Sequence, residues 1–313
     1  MNEFKLVSLC FLLTLFLCSC MQDESKKQES LSDLQIAYNV LEDSETDNYE
    51  IYIMNADGSG KKNISNWQGV DWVYYAYESK IYFISDRDTT HRMYFLYEMD
   101  ADGKNVRKIY NNRLYDSWIS SRKNGEEFIV TTKQNDKKAF VIIDKNGNEL
   151  KTVLNTNEFK FNDPYFSPDG KQIVYRAVKT NFDELWLMND DGGNLKQLTY
   201  YPENDSSRNP HQYHAGPPFW EPNNNFISYI SDQSGNYNIF VIDPDGKNQT
   251  KISPDSIDGG WHSWSPQGDW IVFDGTLNNE NYDIFILNYK TKELKRLTDA
   301  DIYEQAPVFV KSK

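Results

Sequence analysis

A turn motif recurs along this chain at nearly constant spacing, and this spacing constrains the fold more than any other feature. Asp-Gly or Asn-Gly pairs provide a glycine at five positions, and Thr291 occupies the sixth position of the series. The glycines are Gly58, Gly103, Gly147, Gly192 and Gly246. Successive intervals are 45, 44, 45, 54 and 45 residues. A period near 45 residues with strand-like units is typical of propeller blades.

Each recurring turn lies between two short apolar strands, such as EIYIMN (50–55) before the first turn and KKNIS after it. Apolar runs that alternate around a glycine-containing turn predict a β-hairpin. A second hairpin precedes each of these, and its clearest copy is FSPDGKQIVY at residues 166–175. Fainter copies occur at 220–229 and 264–273. Each unit is therefore predicted to be a blade of four antiparallel strands, labelled A to D in chain order.

The first and last units are incomplete in a complementary way. IAYNV (36–40) fits a strand B with no strand A before it, whereas APVFV (306–310) aligns with the strand A at 163–166. The C-terminal strand is therefore predicted to complete the first blade, which closes the ring and removes an exposed edge. The expected fold is all-β: a six-bladed β-propeller of four-stranded antiparallel blades over residues 34–313.

The repeats resemble those of TolB-type β-propellers, the family with PD40 repeats. IYIMNADGSGKKNIS (51–65) and LWLMNDDGGNLKQLT (185–199) carry the resemblance, which extends over about residues 34–310. YYAYESK (74–80) and ISSRKNGEE (119–127) depart from the Ser-Pro-Asp-Gly-Lys turn, so strand boundaries in blades two and three are less well defined. TolB proteins carry an α/β domain before the propeller and work in the Tol–Pal system. Only about a dozen residues separate Cys20 from the first strand, so the resemblance implies the fold and the style of binding.

The N-terminus has the features of an export signal. Lys5 is followed by an apolar run from Leu6 to Leu17, which is too short to span a bilayer comfortably. The ending Leu-Cys-Ser-Cys resembles the lipobox of bacterial lipoproteins, which implies cleavage before Cys20 and lipidation of its thiol. An ordinary signal peptide is the alternative. We expect a signal peptide at 1–19, a flexible tether at 20–33, and an outer-membrane lipoprotein on the periplasmic side or the cell surface.

Charge and cysteine content restrict the possible partners and the compartment. The net charge of -14 argues against nucleic acid, because phosphate binding needs a basic surface. All three cysteines lie within the first 20 residues, so the folded part must be stable without disulfides. Two acyl chains at Cys20 would hold the protein on the membrane. A monomer is expected.

Strand order predicts which face binds. The A–B and C–D turns lie on one face of the ring, here called the turn face. The B–C and D–A connections lie on the other, here called the loop face, and their irregularity favours binding. The 54-residue interval places the longest connection at 199–218, which is either a binding loop or inert variation. Around the channel mouth, the predicted binding residues are Asp71, Trp72, Asp116, Trp118, Asp163, Tyr201, Arg208, His211, His214, Trp261, His262 and Glu304. The alternative for each tryptophan is that it fills a gap between blades.

Catalytic motifs are absent from the sequence. No Gly-x-Ser-x-Gly nucleophile elbow and no His-x-x-x-His or Cys-x-x-Cys metal spacing occurs, so no cofactor or metal is expected. The favoured hypothesis is a lipid-anchored, non-catalytic interaction module that binds an envelope protein or peptide through the loop face. The alternative is a glycan-binding propeller or a metal-dependent polysaccharide-degrading one, because oligogalacturonate lyases resemble these propellers and use a His-rich metal centre.

Overall fold

The structure, a computed structural model, describes residues 30–179, 182–200, 215–223, 226–278 and 281–312. These residues form six four-stranded antiparallel sheets, preceded by a short 3-10 turn at Leu31–Asp33. Each sheet is one blade, and the blades follow one another along the chain. The six-bladed propeller that the repeat spacing predicts is therefore confirmed.

The strands of the first three blades carry the following bounds. Blade one contains β1 (Leu34–Asp43), β2 (Asn48–Asn55) and β3 (Lys62–Asn63); blade two contains β4 (Asp71–Tyr77), β5 (Lys80–Ser85), β6 (Phe95–Asp100) and β7 (Arg107–Lys108); blade three contains β8 (Ser120–Arg122), β9 (Glu127–Gln134), β10 (Lys137–Asp144) and β11 (Glu149–Asn155).

The remaining strands complete the ring. Blade four contains β12 (Lys160–Phe166), β13 (Gln172–Val178), β14 (Glu184–Asn189) and β15 (Lys196–Gln197); blade five contains β16 (Phe219–Trp220), β17 (Ile227–Ser231), β18 (Asn238–Ile242) and β19 (Thr250–Lys251); blade six contains β20 (Asp258–Trp264), β21 (Trp270–Thr276), β22 (Asp283–Asn288) and β23 (Leu294–Arg296); and β24 (Glu304–Lys311) returns to blade one.

The last strand closes the ring, as the sequence predicts. β24 pairs antiparallel with β1 and is the innermost strand of the sheet β24-β1-β2-β3. Leu34 lies opposite Lys311, and Ile36 lies opposite Phe309. Both ends of the domain are therefore held in one sheet, so opening the ring requires breaking this ladder.

The hydrophobic core lies between neighbouring blades. The inner strands carry nearly continuous buried apolar runs, as in β5, β10 and β18. Because successive side chains of a strand point to opposite faces, each blade has two apolar faces that pack against its two neighbours. One cluster joins blades one and two through Ile51, Phe83 and Met99, which are completely buried. Another joins blades three and four through Phe140 and Phe161, whose ring centroids lie 4.7 Å apart.

The recurring C–D turns explain why glycine repeats at the same interval. In blade three, Asn146 N–H donates to Asp144 Oδ1 over 2.8 Å, and Gly147 N–H donates to Asp144 O over 2.9 Å. Gly147 has a φ of +83°, a backbone conformation that residues other than glycine rarely adopt. A Cβ atom at Gly147 would lie 2.0 Å from Ile109 O of the preceding blade. The turn therefore needs glycine for its own geometry and for contact between blades.

The Ser or Thr that ends each clear repeat also has a structural role. Thr199 Oγ1 accepts a hydrogen bond from Leu185 N–H over 2.9 Å and donates to Glu184. In blade one, Ser65 Oγ likewise accepts a hydrogen bond from Ile51 N–H and donates one to Glu50. One hydroxyl thus forms hydrogen bonds with both a buried N–H and a buried carboxylate, which explains why Ser or Thr recurs at the end of these repeats.

Candidate ligand-binding face of the propeller

Aromatic side chains from five blades meet in the central channel and close it. They come from strand A or the residues just before it: Tyr74, Trp118, Tyr165, Phe219, Trp261 and His262. We call this set the channel plug. Tyr74 lies 5.3 Å from Trp118 and 5.8 Å from Trp261, and Trp118 lies 5.0 Å from Phe219, between ring centroids. The channel therefore does not run open from one face to the other.

Two predicted binding residues, Trp118 and His262, belong to the plug and are buried. Trp118 Nε1 donates to Pro218 O over 3.3 Å. Burial lowers the pKa of His262 to about 4, so its ring is neutral at neutral pH. His262 Nδ1 lies 2.7 Å from Gly260 O, which can only accept, so Nε2 is left to accept a hydrogen bond from Ser228 Oγ. Both side chains are held by internal contacts.

Three predicted carboxylates, Asp71, Asp163 and Glu304, are also buried, and their contacts are internal as well. Asp71 forms an ion pair with Arg87, and Asp163 forms one with Arg176. Burial raises the pKa of Asp71 to about 6 and those of Asp163 and Glu304 to about 7. Asp71 and Asp163 are thus each paired with an arginine of their own blade.

The sequence did not identify Asp274, the carboxylate that links blade six to the closing strand. Asp274 Oδ2 accepts from Ala306 N–H over 2.8 Å, and Oδ1 accepts from Trp261 N–H over 3.1 Å. Burial raises its pKa to about 7, although backbone hydrogen bonds from Ala306, Gly260 and Trp261 oppose the shift. In the repeat, Asp274 takes the place that Arg176 occupies in blade four, so the alignment alone carries no sign of its role.

The other predicted binding residues divide into two groups. Trp72, Asp116 and Trp261 are partly exposed. Asp116 Oδ2 also accepts a hydrogen bond from Asp163 N–H over 2.6 Å and so joins blades three and four. Tyr201, Arg208, His211 and His214 lie outside the described residues. Binding by any of the twelve residues stays a prediction.

On the loop face, a pocket opens at the boundary of blades one and two. Its cavity volume is about 470 Å³, and it is lined by Tyr49, Trp72, Tyr74, Arg92, Tyr303 and Gln305 together with Leu41. We call it the blade 1–2 pocket. Of these residues, only Trp72 is among the predicted binding residues. Arg92 lies at the end of a B–C loop of mixed charge, and Tyr303 directly precedes Glu304. In the sequence, only their positions in loop-face connections could have indicated that they line a pocket.

A second cavity opens on the turn face, and none of the predicted binding residues that the structure describes lines it. This funnel has a volume of about 300 Å³ and lies on the other side of the channel plug. Partly exposed Tyr75, Tyr77 and Tyr165 line it, and the turn prolines Pro168 and Pro266 stand at its rim. The strands A of all six blades contribute to it, because their inner edges surround the channel.

Within the described part of the chain, no group of three or more His, Cys, Asp or Glu side chains is arranged to hold a metal ion. His211 and His214, two of the predicted binding residues, fall outside these residues. Among the same residues, no helix is long and apolar enough to cross a membrane.

Comparisons with known proteins agree with the fold. Residues 38–211 match the family described as PD40, the TolB beta propeller domain. An uncharacterized protein of Agrobacterium fabrum (strain C58 / ATCC 33970) is 30% identical over 109 residues, which are 34% of this chain and 33% of that protein. The chain thus matches about a third of the length of this curated relative.

Solved structures show the same architecture. TolB from Acinetobacter baumannii superimposes with a TM-score of 0.71 at 18% identity, over 90% of this chain and 68% of that chain. A putative TolB from Agrobacterium tumefaciens gives 0.62 at 15% identity, over 88% and 91%. An oligogalacturonate lyase from Vibrio parahaemolyticus gives 0.52 at 15% identity, over 80% and 71%. At these identities the likeness shows the fold alone, but the family match covers more than half of the sequence, and the chain therefore belongs to the TolB β-propeller (PD40) family.

Proposed function

We propose that this protein is a lipid-anchored, non-catalytic propeller of the bacterial envelope that binds an envelope protein or peptide through its loop face. Residues 1–19 are its signal peptide, Cys20 carries the lipid, and residues 20–33 form the tether to the propeller. Membership of the TolB propeller family supports the role as an interaction module. The Leu-Cys-Ser-Cys sequence supports the anchor.

The observation that carries this proposal is the position at which the chain enters the propeller. Ser312 N–H donates to Asp33 O over 2.9 Å, and Lys311 Nζ lies 2.7 Å from Glu78 Oε2. Glu78 belongs to the A–B turn of blade two, between β4 and β5. The chain therefore enters on the turn face. A tether from Cys20 would hold this face toward the membrane and leave the loop face free to meet a partner.

The length of the tether strengthens this orientation. Ser30, the first described residue, lies ten positions after Cys20. An extended chain spans at most about 3.6 Å per residue, so the tether reaches no more than roughly 36 Å. The turn face would thus remain close to the bilayer, and a large partner would approach more easily from the loop face.

Partly exposed residues of the channel mouth, together with the D–A connection at 199–218, form the proposed binding surface. Trp72 and Trp261 stand around the mouth on strands β4 and β20, and Asp116 lies in the connection before β8. Buried ion pairs and the channel plug support this region. Aromatic residues on a rigid support are favourable for protein recognition, because little side-chain freedom is lost on binding. Tyr201, Arg208, His211 and His214 extend this surface in the proposal.

Two experiments test the proposal separately. In the first, Cys20→Ala is compared with Cys18→Ala in cell fractions. The proposal expects Cys20→Ala alone to abolish membrane retention, and equal retention of both variants would contradict the anchor. In the second, crosslinking mass spectrometry compares the native protein with a variant whose residues 200–214 are replaced by a short turn. Loss of one captured envelope protein supports the binding face, whereas unchanged or absent capture would contradict it.

A further inference from the structure

The blade 1–2 pocket at the channel mouth has aromatic walls. Its polar groups are a guanidinium, an amide and tyrosine hydroxyls. Tyr49 and Trp72 meet edge to face, with ring centroids 5.1 Å apart and planes at 73°. The Arg92 guanidinium lies 5.3 Å from the centroid of Trp72. Tyr303 and Gln305 also line the pocket. Aromatic walls with a few placed polar groups are usual in ligand pockets.

The charge of the pocket is already balanced. Arg92 Nε lies 2.6 Å from Asp47 Oδ2, and Arg92 Nη2 lies 2.6 Å from Asp47 Oδ1, a bidentate pair. Among the described residues that line the pocket, Arg92 is the only lysine or arginine. A carboxylate ligand would therefore compete with Asp47 for a cation that is already paired. The pocket favours an uncharged ligand.

The pocket is also held in shape before any ligand binds. Arg92 has a φ of +57°, and its backbone N–H donates to Asp86 Oδ2 over 2.9 Å. The same carboxyl group of Asp86 accepts Val70 N–H at Oδ1 over 3.0 Å. A left-handed conformation outside glycine persists only when its surroundings fix it, and such positions are common at ligand sites. Arg92 is thus positioned in advance rather than drawn in by a ligand.

The polar groups of the pocket can both donate and accept hydrogen bonds. The amide of Gln305 does both, as do the hydroxyls of Tyr49 and Tyr303, whereas Arg92 only donates. A ligand that carries several hydroxyl groups matches this mixture, because each hydroxyl both donates and accepts. Such a ligand should also present an apolar face of C–H bonds, whose partial positive charge suits the negative face of an aromatic ring.

We propose that the blade 1–2 pocket binds a neutral pyranose unit of a glycan. A pyranose ring combines hydroxyl groups on its edge with an apolar C–H face, and it carries no charge to disturb the pair of Arg92 and Asp47. The cavity volume of about 470 Å³ lies within the range of about 300–1,000 Å³ typical of ligand pockets. The pocket shares Trp72 with the proposed protein-binding surface, but sugar binding does not depend on protein binding.

The test is isothermal titration of the purified protein with four hexasaccharides at millimolar concentration. Three are neutral (maltohexaose, cellohexaose and chitohexaose), and hexagalacturonate is the charged comparison. We expect at least one neutral sugar to bind and hexagalacturonate to bind more weakly. Failure of all three neutral sugars, or preference for hexagalacturonate, would overturn the proposal.

Variants locate the site. Gln305→Ala and Arg92→Lys should each weaken binding of the neutral sugar about tenfold, because each removes planar hydrogen bonding without opening the core. Tyr115→Ala is the matched control, since Tyr115 is an exposed aromatic residue in the connection before blade three and does not line the pocket, and it should bind as the native protein does. Equal affinity in all variants would place the sugar elsewhere. A photo-crosslinker at position 305 that captures a polypeptide would assign the pocket to the protein partner instead.

Discussion

Replacing Gly147 by alanine should destabilise the propeller much more than the same change at Gly246. Both glycines occupy the C–D turn, with φ angles of +83° and +84°, so left-handed strain costs about 1–2 kcal/mol at either position. The new Cβ atom would lie 2.0 Å from Ile109 O at position 147, but 3.3 Å from Leu198 O at position 246. Only the first contact forces the backbone of the preceding blade to shift, and overpacking adds about 1–3 kcal/mol. The free energy of unfolding should therefore fall by about 2–5 kcal/mol at 147 and about 1–2 kcal/mol at 246.

Urea unfolding followed by tryptophan fluorescence measures this difference. Because the two variants share the same turn geometry, subtracting their losses isolates the contact between blades. The dependence of the unfolding free energy on urea should be unchanged, since the surface exposed on unfolding is the same. Equal midpoints for the two variants would refute the reasoning that these glycines are required for blade packing.

Three further changes test other parts of the structure. Thr199→Val should cost about 1–3 kcal/mol of unfolding free energy, because it leaves buried Leu185 N–H without its acceptor. Thr250→Val, at an exposed threonine, should cost about 0.5 kcal/mol or less. Equal losses of Tm in the two variants would contradict the role of the Thr199 hydroxyl. Burial raises the pKa of Asp274 to about 7, so its contribution to stability is complete below about pH 4 and is lost as pH rises to about 7. Asp274→Asn replaces one of the two accepting oxygens by an amide NH2 group, so it should lower the Tm at pH 4, and this deficit should shrink at pH 7.5 because the amide stays neutral. A deficit that grows from pH 4 to pH 7.5 would show the charged form to be favoured. Trp118→Ala should cost about 3–5 kcal/mol because it removes a buried ring of the channel plug, and a loss below about 1 kcal/mol in urea unfolding would show the plug to be loosely packed.

The fold could be predicted because its determinants are local and repeated. Spacing between Asp-Gly turns sets the number of blades, and each glycine acts through its own φ angle and one neighbouring carbonyl. The closing strand could be predicted for a related reason, since 306–310 repeats the pattern of a strand A. In blades two and three the turns differ in sequence, yet Tyr77 and Lys80 still pair across a tight turn, because the flanking apolar alternation is retained.

The site could be predicted only in part, because it depends on contacts between distant residues. Asp71 and Asp163 follow the repeat, but their carboxylates face Arg87 and Arg176 inside the protein, and the sequence does not show which side of a strand end is buried. The pocket unites Arg92 with Tyr303, which lie more than two hundred positions apart along the chain. Ring closure brings them together, and no local pattern marks that contact.

Photo-crosslinking in cells from matched positions on the two faces tests most directly whether the loop face binds the partner. Leu277 and Ile302 are exposed in loop-face connections of blade six and before β24, whereas Asn124 and Lys171 are exposed in A–B turns on the turn face. A photoreactive residue at each position would be activated in cells, and the captured proteins would be identified by mass spectrometry. The account predicts that one envelope protein is captured from Leu277 or Ile302 and not from Asn124 or Lys171. Capture of a specific protein from the turn face alone would contradict it.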